Sequence, residues 1–234
     1  MATWLEIGCQ HAERARAVGA IIVPELTDAE KFSALTAELQ EGLVAITAFA
    51  FAVDGFYDTI RQELGCHPDQ TRRRNRTGRD AQAAETLRYH FKLDPRFSAQ
   101  HRTVISELFR FRSRAVHSDS KFVAPNYRPQ LDAGVHPHLI TFSGPHSVQC
   151  RALVLELFQR ILERARALHT VEEDAGWLDR GQAGLDRLSV IYRVAGDDQV
   201  AFSTGPGVPC SRTFEKCSER DRLAGLPLSE DPQR

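Results

Sequence analysis

The chain is poor in cysteine. Cys9, Cys66, Cys150, Cys210 and Cys217 are odd in number and scattered, with no CxxC pair among them. A dense disulfide framework and paired zinc-finger spacing are therefore excluded, and reduced thiols in a cytoplasmic setting are the expectation. Long apolar runs are missing as well. The most nearly continuous stretch, Leu43 to Val53, is closed off by Glu41-Gly42 and Asp54, too short to cross a bilayer and typical of a buried core helix. No membrane partner is expected. A basic-then-apolar leader is also lacking, because Glu6, His11 and Glu13 interrupt the opening residues. Nor does the chain contain GxxxxGK[ST], GxGxxG, HExxH or GxSxG, which removes the common nucleotide, zinc-protease and hydrolase signatures and leaves no cofactor expected. There is no internal repeat.

What is present suits a soluble domain. With 234 residues, 42% hydrophobic and 26% charged, the chain can bury one substantial core plus an appendage. Its net charge of −1 is unevenly spread. From Thr170 onward there are 12 acidic and 8 basic residues, against 19 and 22 before it. Arg72, Arg73, Arg74, Arg76 and Arg79 fall within eight residues, a density that suits phosphate contacts but equally describes a solvated loop.

Apolar spacing predicts a mainly α fold. Residues 1–26 read as an N-terminal extension, with Trp4-Leu5-Glu6-Ile7 and Ala20-Ile21-Ile22-Val23 as short strands around a helical turn or two. Thr27-Asp28-Ala29-Glu30 has the form of a capping box. A long helix follows to Leu64, carried by Phe32, Leu35, Leu39, Leu43, Ile46, Phe49, Val53, Phe56, Tyr57 and Ile60, and either continuous or broken near Gly42. Helices are expected over 80–91, from about Ser98 to His117, and over 147–169, with a polar, proline-bearing loop from 118 to about 145. A helical bundle spanning 27–169 results. Residues 170–204 are read as an appendage: a short helix near Trp177 and a β-hairpin, Ser189–Val194 and Gln199–Thr204, around Ala195-Gly196-Asp197-Asp198. The Gly, Pro and charge of 205–234 suggest a disordered tail.

The most informative stretch runs from Glu107 to His117. A helix there puts Val104, Leu108, Phe111 and Ala115 on one line and Ile105, Phe109, Arg112 and Val116 beside it. Arg112 lies on or next to the buried face, where an unpaired guanidinium is costly. It is either a structural arginine with a buried partner or half of an Arg/His phosphate site. Asp54, set in the most apolar part of the long helix, either meets an arginine of this helix or points out of a partly exposed turn. His117, His136, His138 and His146 flank one loop, but His-Pro-His is poor chelate geometry and no metal site is expected. Nothing near Cys150 suggests an activated thiolate.

Arg112-Ser113-Arg114-Ala115-Val116-His117 resembles the Arg-x4–6-His motif of the HEPN superfamily, a group of small helical-bundle proteins. The order of elements is similar too: a long early helix with Val53-Asp54-Gly55-Phe56-Tyr57, a second hairpin ending in the motif, then a closing helix. Ser113 stands where Asn or Asp is more usual, and Ser118-Asp119 replaces the tyrosine that follows the histidine in some members. The resemblance implies a metal-independent endoribonuclease of the defence or toxin–antitoxin kind, acting on RNA as a homodimer, with a cognate antitoxin as a candidate partner. His117 would be the acid/base and Arg112 the phosphate clamp. On an ideal helix positions five apart differ by about 140° and positions seven apart by about 20°, so Arg110 is an alternative clamp. Many relatives are non-catalytic, and the competing expectation is a HEPN-like binding or scaffold module in which Arg112 pairs with Asp54.

Overall fold

The computed structural model describes residues 2–65, 67, 78–116 and 124–168, with isolated positions 183, 184 and 186. All of them belong to one unit, Met1–Ala195. The hairpin expected at 189–204, the short helix at Trp177 and the tail of 205–234 lie outside the described residues.

The described part is mainly helical. Helix α1 (Ala2–Ala20) replaces the strand expected at Trp4–Ile7, and the strand expected at Ala20–Val23 is instead the helix end and a turn, with Ile21 and Ile22 N–H donating to the Val18 and Gly19 carbonyls. Four-residue windows such as Trp4–Ile7 hid its periodicity. Leu5, Cys9, Ala12 and Ala15 recur every three or four residues and are all buried. Gly8 lets the α1 backbone lie against Phe49, since a Cβ there would stand 2.5 Å from the ring.

Helix α2 (Asp28–Leu64) is continuous. Its start is the capping box: Thr27 N–H donates to Glu30 at 2.8 Å, and Glu30 N–H to the Thr27 hydroxyl at 3.4 Å. It ends at Gly65, whose φ of 85° favours glycine. By length and composition α2 could cross a bilayer, but Ala45, Ile46, Phe49, Ala52, Val53, Phe56 and Ile60 are buried within the bundle. Gly42 does not break the helix. It admits the carbonyl of Phe142, which would stand 1.8 Å from a Cβ.

Helices α3 (Arg79–Phe91) and α4 (Pro95–Val116) pack on each other and on α2. Between them Lys92 takes a left-handed conformation, φ 45°. Helix α4 begins at Pro95 rather than Ser98, because proline is at home in a first turn, where its missing N–H has no helical partner.

The expected loop before residue 145 holds structure. Strands β1 (Asn126–Arg128) and β2 (Ala133–Val135) form an antiparallel pair, Asn126 opposite Val135, joined by a 3-10 turn over Pro129–Leu131. Short helix α5 (Pro137–Thr141) leads into α6 (Gly144–Leu168), which packs on α1 and α2. The aromatic centre joins three helices. Phe56 meets Phe158 edge-on at 5.3 Å and stacks on Phe91 at 6.2 Å.

Candidate functional site

Asp54 and Asp58 lie one turn apart on α2, so both carboxylates share a face. Three arginines from three helices converge on them. Arg112 of α4 donates Nη1–H to Asp54 Oδ2 at 3.0 Å, and Arg79, at the first position of α3, donates Nε–H to Asp54 Oδ1 at 2.7 Å. Arg79 Nη2 also reaches Asp58 Oδ2 at 2.6 Å, while Arg61 Nη2 stands 3.2 Å from Asp58 Oδ1. Burial works against the charge on Arg79, but its hydrogen bonds to Asp58 and Asp54 outweigh that and raise its pKa.

Aromatic faces complete the setting. The Arg79 guanidinium lies 4.4 Å above the Tyr57 ring, and that of Arg112 lies 4.5 Å from Phe109 and 5.7 Å from Phe51. The side chains of Arg112 and Asp54 keep 22% and 21% of their surface open. The network is thus an ion-paired patch at the surface, neither a sealed core pair nor a deep cleft. With three guanidiniums over two carboxylates, it carries one excess positive charge.

The sequence treated Arg79 as the end of an arginine run and Arg112 as part of a separate motif. The structure brings both to one carboxylate. Arg72, Arg73, Arg74 and Arg76, which precede Arg79, lie outside the described residues, as does His117, which follows α4 directly in sequence. Ser113 is exposed.

Arg110 belongs elsewhere. Two positions from Arg112, and so about 200° around the helix, it pairs with Glu107 and sits 5.5 Å from the Phe111 ring. Burial lowers the Arg110 pKa, against the pull of Glu107, and the same burial raises that of Glu107.

The histidines divide. His136 caps α5, its Nδ1 accepting from His138 N–H at 3.2 Å. Burial, then His136 and Arg114, lower the His138 pKa. His146 is partly buried, which lowers its pKa, and its Nδ1–H donates to the Thr141 carbonyl. The other nitrogen, Nε2, therefore accepts and faces Cys150 Sγ at 3.9 Å. Among the described residues no three His, Cys, Asp or Glu side chains are grouped to hold a metal.

Two further ion pairs, one buried and one partly buried, were not legible as pairs in the sequence. Glu38 of α2 stands 2.7 Å from Arg128 of β1, and its other oxygen accepts from Gly144 N–H at 2.9 Å. Arg151 of α6 pairs with Glu13 of α1. Burial opposes the charge on Glu13, but hydrogen bonds from Arg151 and Arg16 prevail and lower its pKa. A signal existed for Glu38, which continues the buried line Ala34, Gly42, Ala45 at helical spacing. Comparison with protein families, curated proteins and solved structures returned no match.

Proposed function

We propose that the chain is a HEPN-like endoribonuclease that cleaves RNA without a metal, with Arg112 at the phosphate and His117 as acid and base. One observation carries this reading: Arg112 of the motif and Arg79 of the arginine run share the carboxylate of Asp54. Arg79 and Arg112, well apart in sequence, thus belong to one surface patch with an excess of guanidinium charge, which suits a phosphate-bearing substrate.

Asp54 plays a positioning part. It engages Arg112 through Nη1, which orients the planar fork and leaves other N–H groups to meet phosphate oxygens. The RNA 2′-oxygen bonds to phosphorus as the bond to the 5′-oxygen breaks. His117 takes the 2′-hydroxyl proton and returns it to the departing oxygen. The guanidinium stabilises charge that grows on the phosphate oxygens. Pairing of two motifs in a homodimer is part of the proposal, drawn from the resemblance.

The test is cleavage of a mixed RNA pool in EDTA by the full chain beside His117→Ala, with folding followed by circular dichroism. We expect EDTA-resistant cleavage by the wild type and its loss in a folded His117→Ala. Equal cleavage by both, or none by the wild type, refutes the dyad. The Arg112–Asp54 pair is equally what a binding or scaffold module calls for, and with the guanidinium packed 4.5 Å from Phe109 it favours that second reading, in which Arg112 is structural. On that reading Arg112→Ala loses its fold cooperatively and no RNA is cleaved.

A further inference from the structure

Two large aromatic rings next to the Arg112–Asp54 pair remain at the surface. Trp4, in the first turn of α1, is 44% exposed, and Phe51 of α2 is 36% exposed. Their ring centroids are 5.1 Å apart with planes at 43°. Phe51 contrasts with its neighbours, since Ala50, Ala52 and Val53 are all fully buried. The Phe51 ring also neighbours the Arg112 guanidinium, whose carbon is 5.7 Å from the ring centroid.

The strip continues along α2. Phe51, Asp54, Gly55 and Asp58 recur at spacings of three and four and so share one face. A Cβ on Gly55 would meet nothing within 4 Å, so the helix backbone lies open beside the Asp54 and Asp58 carboxylates. The aromatic pair, the Arg112 guanidinium against it and this open stretch lie within two helical turns. A nucleotide has complementary parts at similar spacing, a flat base joined through its sugar to a phosphate.

We propose that Trp4 and Phe51 form a stacking platform for a nucleobase of single-stranded RNA whose adjoining phosphate meets Arg112. The proposal rests on the RNA reading above and adds the element that holds the strand in place. Base stacking on an aromatic side chain tolerates any sequence, because every base has a π-face. Neighbouring guanidinium charge supplies the phosphate contact and the salt dependence. Trp4 is a binding residue in this account, with no part in moving protons.

The experiment uses the full chain carrying Trp177→Phe, which leaves Trp4 as the lone tryptophan of the two. The probe is a fluorescein-labelled, 2′-O-methylated single-stranded oligonucleotide, which binds but cannot be cleaved at its blocked 2′-oxygens. Affinity is read by anisotropy and Trp4 emission is read with an unlabelled strand of the same sequence. We expect Trp4 emission to be quenched in step with binding, Trp4→Ala to weaken binding about tenfold or more, and Trp4→Phe to restore most of it. An abasic strand should bind wild type and Trp4→Ala alike.

Binding with unchanged Trp4 emission and equal affinity in Trp4→Ala overturns the platform and leaves the RNA reading standing. Absence of binding at low salt overturns both. A Trp4 emission shift that follows protein concentration without RNA, matched by self-association in sedimentation, also overturns the platform and assigns the strip to contact between copies.

Discussion

Alanine at two glycines of the same helix should have effects of opposite sign. Gly42 and Gly55 both lie inside α2, and at each an alanine gains about 1 kcal/mol of intrinsic helix preference. At Gly55 the added methyl meets nothing within 4 Å, so the gain stands alone. At Gly42 the methyl would lie 1.8 Å from the Phe142 carbonyl oxygen and 2.7 Å from its carbon. That first distance is roughly 1.5 Å short of ordinary contact. The obstacle is backbone, held by the short helix α5 before it and by the Glu38–Gly144 hydrogen bond after it, so no rotamer change relieves it. Overpacking of this kind costs about 3 kcal/mol, the upper end of the usual range. The net effect at Gly42 is a loss of about 2 kcal/mol. For a domain of this size Gly55→Ala should raise Tm by about 2–4 °C and Gly42→Ala should lower it by about 4–8 °C. Thermal melts followed by circular dichroism at 222 nm, checked by urea midpoints, measure both. A Gly42→Ala melt above the wild type would refute the close approach of Phe142 to α2.

Three further outcomes follow from the buried charges and thiols. Glu38→Gln keeps an acceptor for Gly144 but leaves buried Arg128 without its counter-charge, so urea unfolding should show a loss of about 3–5 kcal/mol, with much of it recovered in Glu38→Met/Arg128→Met. Partial burial lowers the His146 pKa: the unfolded chain takes up a proton at higher pH than the folded one, so stability present above about pH 6.5 falls as pH drops below it. Urea midpoints between pH 7 and 5 should show that slope, and His146→Asn should flatten it. Burial pushes the Cys9 thiol up to about 12, so Cys9 should resist iodoacetamide at pH 8 until urea unfolds the chain. Because the unfolded thiol ionises first, the stability tied to Cys9 is intact below about pH 8.5 and declines above it.

The helices were largely legible because each buries a periodic face. Thr27 and Glu30 mark the start of α2, Gly65 marks its end, and Leu93-Asp94-Pro95 separates α3 from α4. The misreadings have local causes. In α1 the buried face is one leucine, Leu5, followed by the small residues Cys9, Ala12 and Ala15, and a window of four residues around Trp4 looks strand-like. Strands β1 and β2 have three residues each and no alternating apolar pattern, so the segment reads as loop. Gly42 looks like a helix breaker when only propensity is considered, whereas its contact with Phe142 comes from a segment about a hundred positions away in sequence.

The candidate site divides the same way. Sequence by itself determined that Asp54 sits in the most apolar part of the long helix, and that Arg112 stands beside an apolar seam where it needs a partner, because both follow from 3.6-residue periodicity and the cost of burying charge. Only the tertiary structure decided which charges meet. Arg79 and Arg112 converge on Asp54, Arg110 turns to Glu107, and Glu38 finds Arg128. Pairing depends on how helices cross, and crossing depends on the summed packing of side chains from every element, information that no single stretch of the chain contains.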